Sequence, residues 1–354
     1  FTKPMVAVLL MQQVEAGAVS LARPVAEYIP EFGQRGKDQV TVRQLLLHRA
    51  GLPPFIKFFE FADGKEAFQE AIGDLTLRYT PGDSTVYSDI GMMTTAFMVE
   101  KITGMDLDEF MTRRVWGPLG MQDSGFNPDP ELKPRVAPTE VDDYYRFTHV
   151  HGVVHDENAF ALGGVAGHAG LFSSARDLAV LAQTLLNKGR IQGCVGDGAP
   201  ISSGPSRSGT GPGQARQPSA AEPRQGGAEP ETAGIPCSAP RPAPVRIAAP
   251  TSVELFTRRF DETASRALGW DTPSEGASSG DYLTRRAFGH TGFTGTSFWV
   301  DPELDLFVVL LTSRTNPTRE NTRHVPLRRA VHDAAALAIT DRTVTKRDWA
   351  GHRP

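Results

Sequence analysis

No side chain from residue 4 to residue 11 is polar. A helix that is apolar all round has nowhere to lie but the interior of a fold. Pro4 fixes where that helix begins, because proline lacks the N–H that would bond the carbonyl four residues back and is tolerated only in a first turn. Lys3 therefore stands in the first turn of a buried helix, where an ammonium is costly unless something pairs with it. The residue sharing its face one turn earlier would be three places before it, immediately ahead of Phe1.

A chain of 354 residues, 40% hydrophobic and 22% charged, is large enough to bury such a helix in one large domain or between two lobes. Its net charge of −4 gives no electrostatic footprint for nucleic acid. Residues 314–329 are locally basic, and a solvated helix face is the expected reading. No run of 18 apolar residues occurs, so no transmembrane segment is expected within the chain. A signal peptide is not decided, since the true N-terminus is expected to lie upstream of Phe1. The two cysteines, Cys194 and Cys237, indicate neither a disulfide framework nor a thiolate metal site.

Residues 41–48 read as a helix with Thr41 as N-cap and Gly51 and Pro53 as its stop. Helical spacing at 65–72 is followed by the turn Thr80-Pro81-Gly82-Asp83 and by Tyr87-Ser88-Asp89-Ile90-Gly91. Helices are expected at 92–103, ended by Gly104, and at 107–115, ended by Gly117-Pro118. Residues 127–170, rich in Pro, Asp and His, read as loops. Ser174 and Asp177 form a capping box for a helix over 175–187. Between 191 and 250 the chain has no aromatic residue, leucine or lysine, so it cannot bury enough apolar surface to offset its ordering entropy. That stretch reads as a disordered insert, or as coding sequence read out of frame. Beyond Asp281, segments at 283–289, 294–300 and 306–312 read as an antiparallel meander turning at Gly292 and Asp301-Pro302-Glu303. A helix over 325–339 is expected to pack on it, with Val325, Ala330, Ala334 and Leu337 along one side.

Several of these segments resemble the serine β-lactamase and penicillin-binding protein superfamily, in its class C, esterase-like branch. Phe1-Thr2-Lys3-Pro4 is similar to the tail of its Ser-x-x-Lys motif, and residues 41–53 to its T-x-R-x-L-L-x-H-x-x-G-L-P segment. Residues 81–126, including Pro118-Leu119-Gly120-Met121, match almost position by position. Gly289-His290-Thr291-Gly292-Phe293-Thr294-Gly295-Thr296 resembles its Lys-Thr-Gly motif. The resemblance covers 1–186 and 253–337 and implies an α+β fold. An antiparallel sheet flanked by helices (1–20 and 251–340) would stand beside a mainly helical lobe (21–190), with an insert (191–248), a tail (341–354) and the site between the lobes. The strands that precede the first helix in the family would be missing.

Acyl transfer by serine needs a base for the hydroxyl proton and donors for the oxyanion. The chain holds neither Ser-x-x-Lys nor Gly-x-Ser-x-Gly, and the resemblance implies that the nucleophile is the residue just upstream of Phe1, leaving residues 1–354 inactive by themselves. It makes Lys3, Tyr87 and His290 the catalytic candidates. Lys3 would have its pKa lowered enough to accept a proton. Tyr87 takes the place of the Tyr-x-Asn tyrosine, a base or proton relay held by Lys3. The Phe293 N–H would be one oxyanion donor, on a strand with Thr291 where Gly292 lets substrate approach. Asp89 stands where Asn is commoner and adds negative charge. His290 stands where Lys is commoner and is mostly neutral near pH 7. Both departures favour a small ester, amide or peptide substrate over a β-lactam or D-Ala-D-Ala carboxylate.

Two alternatives stay open: a β-lactamase or D-alanyl-D-alanine carboxypeptidase, and a non-catalytic module holding peptidoglycan-like peptides or a protein partner. His149, His151, His155 and His168, with Asp156, offer a His-x-His start to a metal site. Their further spacing is irregular, no cofactor is implied, and they are expected to order a loop at the rim of the pocket. Ser88 and Ser173 have no lysine three residues on and are not taken as nucleophiles. The resemblance implies a periplasmic or secreted protein, with a cytoplasmic place left open.

Overall fold

A computed structural model describes residues 1–191, 244–261 and 264–348. In chain order its helices are α1 (Thr2–Glu15), α2 (Val42–Leu46), α3 (Gly64–Asp74), α4 (Asp89–Thr103), α5 (Leu107–Met111), α6 (Gly117–Leu119), α7 (Glu157–Ala161), α8 (Ala175–Leu186), α9 (Pro250–Thr257) and α10 (His324–Leu337). The strands are β1 (Val141–Asp142), β2 (Thr148–His149), β3 (Arg190–Ile191), β4 (Val245–Arg246), β5 (Phe288–Thr291), β6 (Ser297–Asp301) and β7 (Leu306–Leu310). They form two short antiparallel pairs, β1 with β2 and β3 with β4, and the three-stranded antiparallel sheet β5-β6-β7. The fold is thus α+β, with the antiparallel meander expected from the sequence, although its first strand is Phe288–Thr291 rather than 283–289.

Helix α1 is the hub. All residues from Thr2 to Gln12 are buried, and the sealed aliphatic side chains there each contribute about 1.5–3 kcal/mol of burial free energy. Pro4 lies in the first turn, where its missing N–H forfeits no helical bond. On its flanks α1 meets α4, α5 and α9. The Gln12 side chain donates to the carbonyls of Arg114 (3.3 Å) and Ile247 (2.8 Å). The first of these is the carbonyl that Pro118, four residues on, cannot reach with an N–H. The chain therefore runs past the expected stop at Gly117-Pro118, through a π turn (Thr112–Trp116) and α6, and ends at Gly120 with φ of 66°.

Local signals position the next elements. Thr41 and Gln44 close a reciprocal capping box on α2. Ser88 caps α4, its Oγ accepting from Gly91 N–H, and Gly104 ends that helix in the left-handed region. Only half of the box expected at α8 forms: Ser174 accepts from Asp177 N–H, while the Asp177 carboxylate takes the Asp123 N–H and the Ser124 hydroxyl.

Residues 127–170 are not all loop. They contain the β1–β2 pair and α7, which Asp156 caps by accepting from Ala159 N–H at 2.8 Å; two-residue strands leave no periodicity to read. The compositional insert is narrower than its sequence bounds. Ile191 pairs with Val245, and Ile247 and Ala248 are buried. Residues 192–243, with Cys194 and Cys237, lie outside the described residues, as do 349–354. Helix α8, within the segment assigned to the helical lobe, packs against β6 and β7.

The face of α10 is opposite to the one its apolar residues suggest. Val325, Ala330, Ala334 and Leu337 are exposed, and the buried side chains are Arg328, His332 and Ala336. The reason lies in the β5–β6 turn, whose carbonyls need donors. Arg328, 6% exposed, donates to the carbonyls of Gly292 (2.5 Å), Gly295 (3.0 Å) and Thr296 (2.7 Å). The basic stretch 314–329 is therefore only in part a solvated face: Arg328 is buried and Arg314 and Arg319 bind the Phe293 carbonyl and Glu140, while Arg323 is exposed.

Candidate active site

Lys3, Tyr87, Asp89 and His290 meet at the head of α1. The Lys3 ammonium is 2.8 Å from Asp89 Oδ1 and donates to the carbonyl of His168 at 2.8 Å. The Tyr87 ring centroid lies 5.0 Å from Lys3 Nζ and 5.9 Å from the His290 ring. The His168 carbonyl gets this close because Gly167 lies hard against α4, where a Cβ would fall 2.1 Å from the Met92 carbonyl.

The charge state of Lys3 differs from the sequence expectation. Burial alone would push its ammonium down, but the Tyr87 phenol and the Asp89 carboxylate outweigh it and hold its pKa above the ordinary lysine value. Lys3 is thus a fixed cation at neutral pH rather than a proton acceptor. By the same contact, Asp89 adds no free negative charge to the site. The Tyr87 phenol is raised above its usual value, chiefly by burial, with Lys3 opposing.

His290 is 5% exposed and pairs across β6 with Phe298. Its Nδ1 is 2.7 Å from the carbonyl of Thr291. A carbonyl can only accept, so Nδ1 carries the proton and Nε2 is a bare acceptor. That Nε2 is buried without a hydrogen-bond partner. Burial first, then the charges of the Phe1 amino group, Lys3 and Arg266, hold the imidazole well below its ordinary pKa. His290 is thus more firmly neutral than the sequence alone suggests, and it offers no cation to a substrate carboxylate.

Thr291 ends β5, and Gly292 and Phe293 open the turn. The glycine at 292 has an internal reason: a Cβ there would stand 2.3 Å from Thr296 Oγ1. Phe293 is 58% exposed, and among the described residues no acceptor takes its N–H. Its carbonyl accepts from Arg314 Nε at 2.7 Å, and its ring lies under the Arg314 guanidinium at 4.1 Å and against His155 at 5.6 Å. His155 Nε2–H donates to Glu140 at 2.9 Å, and Arg319 bridges Glu140 and Glu157. With Arg328, these groups fix the turn that presents the Phe293 N–H.

The four histidines considered for a metal are partnered apart. His149 meets Asn316, His151 the Val136 carbonyl, His155 Glu140 and His168 Asp156. Among the described residues no three His, Cys, Asp or Glu side chains are grouped to hold a metal ion. Ser88 is 3% exposed and donates to the Pro53 carbonyl at 2.6 Å, and Ser173 shares a hydrogen bond with Ser124.

Sequence reasoning gave no role to two residues that shape the site. His48, in the left-handed region at φ 56°, accepts the Ser88 N–H on Nδ1 at 3.1 Å and lies 4.7 Å from the Tyr87 ring. It thereby seats the Tyr87-Ser88-Asp89 corner. Its place in the matched 41–53 segment was the available signal. Arg266, which no motif marks, stands over the Tyr87 ring at 4.9 Å.

Residues 1–333 match the family described as Beta-lactamase. A Salmonella agona (strain SL483) protein named "Putative D-alanyl-D-alanine carboxypeptidase" is 29% identical over 346 residues, covering 90% of this chain and 68% of that protein. A penicillin-binding protein homolog from Caulobacter crescentus superposes with a TM-score of 0.61 at 18% identity, over 94% of this chain and 81% of that one. A family VIII carboxylesterase does so with a TM-score of 0.63 at 18% identity, over 96% and 82%. No helix among the described residues is long and apolar enough to cross a membrane. The chain belongs to the β-lactamase family of serine hydrolases.

Proposed function

We propose that this hydrolase works through an acyl-enzyme on small esters or amides, with Tyr87 as the proton relay, Lys3 as the fixed cation beside it and the Phe293 N–H as an oxyanion donor. The acylated hydroxyl belongs to a serine three residues before Lys3, on the same helical face. That oxygen attacks the substrate carbonyl carbon while its proton passes to the Tyr87 oxygen, which enters the cycle as the minor phenolate fraction, its charge facing the Lys3 ammonium. The phenolic proton moves to the leaving group as the scissile bond breaks, and water repeats the sequence in reverse to release the acid. Lys3 keeps its proton throughout and stabilises negative charge on the Tyr87 oxygen.

The observation that carries this reading is the convergence of Lys3, Asp89, Tyr87 and the unpartnered His290 Nε2 at the head of one buried helix. A neutral His290 supports an uncharged acyl donor over a carboxylate-bearing one. The relatives carry both carboxypeptidase and carboxylesterase names, and the esterase-like reading fits the local charges better. The test is hydrolysis of a p-nitrophenyl ester by a chain carrying serine three residues before Lys3. Tyr87→Phe should cut kcat/KM by about 10²-fold or more, as loss of a general acid–base group does, with little change in KM. A Tyr87→Phe variant within threefold of the parent would overturn the assignment.

A further inference from the structure

The family's third motif carries a lysine where this chain has His290, and His290 is held neutral. A second cation nevertheless reaches Tyr87. The Arg266 guanidinium lies 4.9 Å over the Tyr87 ring, while Lys3 Nζ lies 5.0 Å from the same ring centroid. Arg266 is anchored to the sheet: its NH1 is 3.6 Å from Asp271 Oδ1, and Asp271 exchanges backbone hydrogen bonds with Gly289 at 2.8 and 2.9 Å, next to His290. Ser265 Oγ and the Thr272 N–H also bind Asp271 Oδ1, at 2.8 and 3.0 Å. The guanidinium is therefore held by a residue bonded to the strand that carries the third motif, in a side chain only 19% exposed.

We propose that Arg266 is a positioning residue for Tyr87: held by Asp271 at the edge of β5, it supplies the second cation that stabilises negative charge on the phenol oxygen, the part a lysine at 290 would otherwise play. This rests on Tyr87 being the relay. The groups facing the phenol are Lys3 from α1, Asp89 from α4, His48 after α2, His290 from β5 and Arg266 itself. Lys3 and Asp89 offset each other at 2.8 Å, and His48 and His290 are both held well below the ordinary histidine pKa. Arg266 is paired more loosely, and its charge acts on the ring in addition to what Lys3 keeps after its contact with Asp89.

A unit charge about 5 Å away shifts a titration by about two units at the effective dielectric of a protein, and Asp271 offsets roughly half of that. The experiment labels the chain with 3,5-difluorotyrosine, which brings phenol titrations into the range where the fold is intact, and follows each tyrosine by fluorine NMR. Tyr87→Phe assigns the resonance among the six tyrosines. Arg266→Met should raise the Tyr87 pKa by about one unit, a tenfold change. Arg266→Lys should hold most of the shift, and Asp271→Asn should lower the Tyr87 pKa. The opposite signs separate an electrostatic role from packing loss and keep the test decisive if Arg266→Met does not fold. A Tyr87 titration unmoved by Arg266→Met and Asp271→Asn, while Tyr87→Phe still abolishes ester turnover, overturns this inference alone. Ester turnover that survives Tyr87→Phe overturns the relay reading and this inference together.

Discussion

Replacing Asp89 by asparagine, the commoner residue at this place in the family, should weaken the fold and reverse the way Lys3 responds to pH. The carboxylate stands 2.8 Å from the Lys3 ammonium, with side chains 19% and 11% exposed. Removing one member of a buried pair costs about 3–5 kcal/mol, because the other charge is left uncompensated. The residual exposure puts this case at the lower end, about 3 kcal/mol. In the parent, Lys3 has a raised folded pKa. Its stabilisation is fully present below the unfolded value of about 10.4 and is lost only as pH rises beyond that, through the folded pKa. In Asp89→Asn, burial is left with much less to oppose it and the folded pKa drops below the unfolded one. The penalty is then complete at neutral pH and fades as pH rises toward the unfolded value. Urea titrations at pH 7, 8.5 and 10 should show a gap of about 3 kcal/mol at pH 7 that narrows steadily by pH 10. A gap below about 1 kcal/mol, typical of an exposed pair, or one constant across this range, would refute the reasoning.

Arg328→Met removes three hydrogen bonds from a buried guanidinium to turn carbonyls, each of which keeps one other donor: Gly295 N–H on Gly292, Thr312 Oγ1 on Gly295 and Gly292 N–H on Thr296. It should cost about 3 kcal/mol or more and raise hydrogen exchange around residues 292–296, whereas an unchanged exchange pattern would show the turn holds itself. Glu140 is held at about 2, burial being outweighed by hydrogen bonds from Arg319 and His155. A depressed carboxylate stabilises above its unfolded pKa of about 4.3 and loses that contribution as pH falls toward 2, so the urea midpoint of Glu140→Gln should vary less than the parent's between pH 5 and 2.5. Ser88→Ala should cost about 1–2 kcal/mol through the lost cap and the Pro53 bond, yet leave covalent labelling by a serine-directed probe unchanged. Loss of labelling would return Ser88 to the list of nucleophiles.

What could be read from the chain, and what could not, divides by the range of the interaction. An unbroken apolar run told that α1 is interior, and the caps at Thr41 and Ser174 told where helices start, because these are signals among neighbours; the Ser88 cap went unread, and α4 starts at Asp89, three residues before the expected 92. The site segments were legible through motif likeness, and the structure brings Lys3, Tyr87, Asp89 and His290 together from positions as far apart as 3 and 290. The protonation of Lys3 was not legible. Burial and Asp89 act on it in opposite directions, and only a 2.8 Å contact across 86 positions decides between them. The face of α10 was misread for a related reason. Alanines and valines marked one side, but the carbonyls of a turn some thirty residues earlier drew Arg328 inward. Arg266 belongs to no motif and became visible only once Tyr87 had a place in space.

The most direct test of the account is covalent labelling with a fluorophosphonate, read by peptide mass spectrometry, on chains carrying serine or alanine three residues before Lys3. The account predicts a single adduct on that serine, absent from the alanine chain and slowed by Tyr87→Phe. An adduct on Ser88, Ser173 or any other residue, or equal labelling of the alanine chain, would contradict it.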